Sequence, residues 1–166
     1  MEASNIHTYD GYNKSDGLLP TVLTEIIFLT GVVDAHEMRA IAILDIANAF
    51  LHAKNDEKIL MLLRGKLAEM MVQVYPIMYR KYVTYSPNGQ AMLYVRLSKA
   101  LYGMLRAALL FYKRLRSDLE NMGFKIKPYD PCVANKTVNG YQMTICWHVD
   151  DLKVSHKDEN SVTALA

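Results

Sequence analysis

The stretch Tyr141-Gln142-Met143-Thr144-Ile145-Cys146-Trp147-His148-Val149-Asp150-Asp151-Leu152-Lys153-Val154-Ser155-His156 reads as two short strands that meet at a pair of acids. Met143, Ile145 and Trp147 alternate with Gln142, Thr144 and Cys146; past the acids, Leu152 and Val154 alternate with Lys153 and Ser155. Period-two patterning marks half-buried strands, so the spacing predicts a β-hairpin with Asp150-Asp151 at its tip. Neighbouring carboxylates at ~4 Å repel by about 1 kcal/mol in bulk water and by more near protein. A divalent cation removes that cost. Oxygen-only ligands suit Mg²⁺, which takes one or two carboxylates together with substrate phosphates. The plainer reading of such a pair is a turn solvated at the surface, since Asp is a common turn residue.

The segments upstream supply the rest of a sheet. Asn139-Gly140 marks a hairpin turn behind a strand at 132–138. Before it, 104–122 is the longest predicted helix. Leu105, Ala108, Leu109, Tyr112, Leu115 and Leu119 form its apolar stripe, and Gly123 is its stop. Arg106, Lys113, Arg114 and Arg116 lie on or beside its other face, with Lys125 and Lys127 beyond. Such charges are most simply a solvated face; the other reading is a grip on a phosphate backbone. A second hairpin is predicted for 81–85 and 92–97 around Ser86-Pro87-Asn88-Gly89, one or two short helices in 66–82 broken near Pro76, and a strand at 58–64 ended by Gly65.

Residues 39–46 are a nearly continuous apolar run, which predicts a strand buried on both faces. The acid near its end, Asp45, must then reach a rim and water or meet a cation, because a buried unpaired carboxylate costs several kcal/mol. A cap or turn role is its bland alternative. Ahead of it, 21–37 reads as a helix whose Leu23, Ile26, Ile27, Thr30 and Val33 face a core and carry no chemistry. Residues 1–20 read as an irregular lead-in, and 157–166 as the start of a helix that has been cut short.

The 166 residues suffice for one domain with a real core, and 51% apolar composition excludes a disordered chain. A net charge of +2 announces no nucleic-acid binder, so any basic footprint is local. Cys132 and Cys146 fit neither a zinc spacing nor a disulfide framework. No apolar run approaches membrane-spanning length, so no membrane partner is expected. Strands and helices are segregated, which favours an α+β fold with an antiparallel sheet. If the Asp45 strand lies beside the acidic hairpin, Asp45, Asp150 and Asp151 converge at one sheet end. Three acids suit two cations ~3.5–4 Å apart, the machinery of phosphoryl or nucleotidyl transfer.

Four blocks in order carry a family resemblance. Asp45-Ile46-Ala47-Asn48-Ala49-Phe50-Leu51 resembles the first palm motif of reverse transcriptases of copia-type LTR retrotransposons. The run Leu97 to Ala108, with Leu101-Tyr102-Gly103 at its centre, resembles that family's Leu-Tyr-Gly-Leu-Lys-Gln-Ala-Pro block. Asp130-Pro131-Cys132 and His148-Val149-Asp150-Asp151 resemble its Asp-Pro-Cys and Tyr-Val-Asp-Asp signatures. The likeness spans about Thr21 to His156, and implies that 21–166 is a palm with partial fingers: an antiparallel sheet with helices packed on one face.

The resemblance implies an RNA-directed DNA polymerase, with RNA template, DNA primer and dNTP as partners and two Mg²⁺ ions, or Mn²⁺, as cofactors. Asp45, Asp150 and Asp151 take the catalytic carboxylate positions, and the metal ligands are these three and the backbone carbonyl of Ile46. Phe50 takes the place of the aromatic that leaves no room for a 2′-hydroxyl. Gly103 allows close backbone approach to the substrate, and Arg106 stands where the family has a polar residue near the incoming nucleotide. His148 departs from the family's Tyr, and Arg106-Ala107-Ala108 from its Gln-Ala-Pro. The family's triphosphate-gripping fingers segment would precede residue 1. Its thumb and RNase H would follow residue 166, with integrase elsewhere in the same polyprotein. The expectation is therefore a polyprotein fragment, cytoplasmic in a virus-like particle, or nuclear. Two rivals stand beside it: a decayed element without activity, binding nucleic acid at most, and a single-strand RNA module using Tyr141 and Trp147 as stacking aromatics.

Overall fold

The computed structural model describes residues 19–104 and 106–165. It is α+β, with two antiparallel sheets and six helices. In chain order the elements are α1 (Thr24–His36), β1 (Ala40–Asp45), α2 (Ala49–His52), β2 (Leu60–Arg64), α3 (Lys66–Val74) and α4 (Pro76–Tyr79). A 3₁₀ turn (Arg80–Tyr82) follows, then β3 (Thr84–Tyr85), β4 (Ala91–Arg96), α5 (Ala107–Asn121), β5 (Lys125–Ile126), β6 (Val133–Val138), β7 (Tyr141–His148), β8 (Asp151–His156) and α6 (Glu159–Thr163). The lead-in expected for 1–20 lies, to residue 18, outside the described residues, as does Leu105 of the predicted helical stripe.

The main sheet has the order β1-β8-β7-β6-β5, and β2-β4-β3 forms a smaller one. The β6–β7 turn is Asn139-Gly140, both at positive φ (49° and 81°), the conformation a two-residue hairpin demands and these residues tolerate. One face of the main sheet carries Ile145, Trp147, Leu152 and Val154, and packs on Phe111, Tyr112, Leu115 and Leu119 of α5. The smaller sheet packs Ala91 and Leu93 against Ala68 of α3, a separate minor core.

The sequence predicts helices on one face of the sheet, and the structure corrects this: α5 covers one face and α1 the other. Strand parity puts Thr144, Cys146 and Lys153 on the face opposite Trp147, and α1 lies across it. Its Thr30 accepts from Lys153 Nζ at 3.0 Å, and its Asp34 carboxylate meets the same Nζ at 2.5 Å. Arg39, just past the helix, donates to Thr144 at 3.2 Å. The expected apolar stripe of this helix is therefore only partly right. Ile26, Thr30 and Val33 are half-buried, but Leu23 and Ile27 are exposed, along with Phe28, Leu29 and Val32. The sheet face beneath is polar, so the helix turns its polar residues toward it and its apolar ones outward.

A second pair of expectations exchanges places. The alternating segment β7 was expected to be half-buried, yet Met143 through Trp147 are all buried, because α1 and α5 enclose both faces. The continuous apolar run β1 was expected to be buried on both faces, yet it is an edge strand with Ile41 and Ile43 exposed.

Candidate active site

β1 and β8 run antiparallel with Asp45 directly opposite Asp151, and β7 sets His148 opposite the same Asp151. Opposed residues share a face, so His148, Asp151 and Asp45 form one row across three strands at the open end of the sheet. All three are exposed. Asp45 thus meets water at a rim.

Asp150 is one residue away, in the turn, and not on the ladder. The hairpin loop is Val149-Asp150, one position earlier in the chain than the expected tip, with Asp151 already the first residue of β8. The Asp150 carbonyl accepts from the Ile46 N–H at 3.2 Å, which extends the β1–β8 pairing past Asp45. Ile46's own carbonyl accepts from the Ala49 N–H at 3.1 Å, in the turn leading to α2, leaving one lone pair for another partner. Asn48 holds a left-handed conformation (φ 55°) and starts α2.

Val149 has φ 57° at the first central position of the acidic hairpin. A turn with positive φ there calls for glycine, and a β-branched residue in that region is a genuine outlier, costing about 1–3 kcal/mol. The neighbouring Asn139-Gly140 turn carries no such strain. Strain of this kind clusters at functional sites. Sequence reasoning passed over Val149; the signal was a β-branched residue at the tip of a two-residue hairpin.

The carboxylates of Asp45 and Asp151 can hold a hard cation: oxygen donors, on one face, open to solvent, with Asp150 adjacent. That matches Mg²⁺, which fills its remaining positions with water or phosphate oxygens. The described residues contain no group of three His, Cys, Asp or Glu side chains that could hold a metal ion. Of the three acids expected to converge, the backbone opposes Asp45 and Asp151 and leaves Asp150 beside them in the turn, with no three such side chains gathered around one point among the described residues.

The substrate-binding candidates are set around α2 and α5. Phe50 is 7% exposed and lies edge-on to Tyr102, with ring centroids 4.5 Å apart, and to Phe111 at 6.0 Å. Its ring is a core aromatic, and the solvent-facing ring at this place belongs to Tyr102, 80% exposed. Gly103 has φ 88°, a conformation suited to glycine. Arg106 forms ion pairs with Glu57 and with Asp56, the latter at 3.4 Å, tying α5 to the loop before β2.

The basic face of α5 is largely neutralised along the helix: Arg114 pairs with Asp118 at 2.7 Å and Arg116 with Glu120 at 3.1 Å. The solvated-face reading holds for both arginines. The RNA-module rival fails on burial: Trp147 is enclosed against Tyr112, and only Tyr141 is exposed.

Asp130, quoted in the sequence only as part of a motif, has a structural role. Its buried carboxylate accepts from the Cys132 N–H at 2.8 Å and from the Leu23 N–H at 2.9 Å, pinning the start of α1 to the sheet. Burial, then the neighbouring Asp130 and Cys146, pushes the Cys132 thiol up to about 12.

Comparison of the chain with protein-family models, with curated proteins and with solved structures finds no match in any of the three. No helix among the described residues is long and apolar enough to cross a membrane.

Proposed function

We propose that this chain is the palm, with part of the fingers, of an RNA-directed DNA polymerase of the copia retrotransposon type, using two Mg²⁺ ions for nucleotidyl transfer. One observation carries the reading: Asp45 and Asp151, 106 positions apart, oppose each other on adjacent strands with Asp150 beside them. Like charges directly opposed on a ladder are destabilising unless a cation offsets them. The strained Val149 turn next to it supports the same conclusion.

In this reading Asp45, Asp150 and Asp151 would hold the cations, with the Ile46 carbonyl as a further oxygen donor. When bound, these ions neutralise phosphate charge and acidify the primer hydroxyl. The carboxylates position charge and move no proton. Phe50 backs the exposed ring of Tyr102 where the sugar of an incoming dNTP would lie. Arg106 reaches a nucleotide only by exchanging Glu57 and Asp56 for phosphate. The template is RNA or DNA, the primer DNA, and the remaining polyprotein supplies thumb, RNase H and integrase.

The rival, a chain without activity that binds nucleic acid at most, is favoured by the lack of a three-residue metal group among the described residues. Primer extension on an RNA template with Mg²⁺ and dNTPs, in the full-length context, separates the two. Extension that Asp150→Asn lowers by at least about a hundredfold supports the polymerase. Extension unchanged by Asp150→Asn removes it.

A further inference from the structure

Lys153 stands two residues beyond Asp151 on β8 and on the same face, opposite Ile43 of β1 and Cys146 of β7. Two strand residues span ~6.6 Å, about the length of a lysine's four-carbon stem. Ile43 is 68% exposed, so the space between Lys153 and the acidic row is open on the β1 side. An ammonium in that position has an obvious destination: the opposed carboxylates of Asp45 and Asp151.

It does not go there. Nζ turns toward α1, where it meets Asp34 Oδ2 at 2.5 Å and donates to Thr30 Oγ1 at 3.0 Å. The Asp34 side chain is 1% exposed and Lys153 16%. Asp34 Oδ1 is buried with no hydrogen bond, so the arrangement is costly. Apolar residues of similar size would join α1 to β8 at least as well, since replacing a buried ion pair in this way is often neutral or stabilising. The particular consequence of this pair is where it keeps the positive charge.

We infer that Asp34 is a positioning residue that sequesters the Lys153 ammonium from the Asp45–Asp151 row, leaving those carboxylates free for a divalent cation. Without Asp34, the lysine swings along its own strand, pairs with the acids and competes with the metal. The inference rests on the cation-binding reading of that row and adds the device that keeps it available.

The test is Mn²⁺ binding to the intact chain, read from the electron paramagnetic resonance of free Mn²⁺, with folding checked by circular dichroism. The wild type binds. Asp34→Asn weakens binding about tenfold or more. Lys153→Met binds as wild type, and adding Lys153→Met to Asp34→Asn restores wild-type affinity. A merely structural role for the pair cannot give that rescue, because the double variant lacks the same contact. Should Asp34→Asn fail to fold, Thr30→Val gives the same test at smaller amplitude, about threefold, again cancelled by Lys153→Met. Unchanged affinity in the folded variant, or a double variant as weak as the single, overturns the inference. Wild-type protein that binds no Mn²⁺ overturns the cation-binding reading itself, and this inference with it.

Discussion

Replacing Asp45 with Asn should make the metal-free protein more stable. Asp45 and Asp151 are directly opposed on an antiparallel pair, which puts their Cβ atoms ~4.5–5.5 Å apart. Two unit charges at ~5 Å repel by ~0.8 kcal/mol at the dielectric of water and by ~3 kcal/mol at an effective value of 20. Both side chains are exposed, so the lower figure governs, about 1 kcal/mol. For a chain of this size that is an increase in Tm of roughly 2–4 °C. A divalent cation at ten times its Kd then stabilises the wild type by RT ln 11, about 1.4 kcal/mol, and the variant by much less. The ranking should therefore invert: Asp45→Asn melts above wild type in EDTA and below it in saturating Mg²⁺ or Mn²⁺. Thermal melts followed by circular dichroism read both arms. If Asp45→Asn melts no higher in EDTA, or if both proteins gain equally from the ion, the row of acids is not the strained cation site argued here.

Two further outcomes follow from buried groups. Asp130→Asn puts an amide group where one of two N–H donors now finds an acceptor. We expect a loss of about 1–3 kcal/mol in urea unfolding and faster hydrogen exchange at the Leu23 amide; unchanged exchange there contradicts the pinning of α1. Cys132 keeps its proton in the folded chain up to about pH 12, whereas unfolding returns it to the ordinary value of 9.0. Its contribution is thus complete below pH 9 and is lost as pH rises toward 12, at ~1.4 kcal/mol per pH unit for one proton. Cys132→Ala should remove one proton's share of that slope in unfolding midpoints between pH 9 and 10.5, and an unaltered slope refutes the assignment.

The sequence by itself located most of the strands of the main sheet, β5 excepted, and singled out the acids Asp45, Asp150 and Asp151 that the fold sets near one sheet end. Alternation in 141–156, the Asn139-Gly140 turn and the apolar run before Asp45 depend on local backbone and side-chain preferences, which a short window contains. What only the tertiary structure decided was which strand is central and which is at the edge. The evenly apolar β1 ended half-exposed at the edge, and the alternating β7 was enclosed on both faces. The reason lies in α1, a mostly apolar helix that lays its polar residues, Thr30 and Asp34, over Lys153 and Cys146. An ion pair between positions 119 residues apart leaves no trace in local periodicity. The register that sets Asp45 against Asp151 is likewise a pairing between distant strands, and a slip of one residue in it would put the two acids on opposite faces.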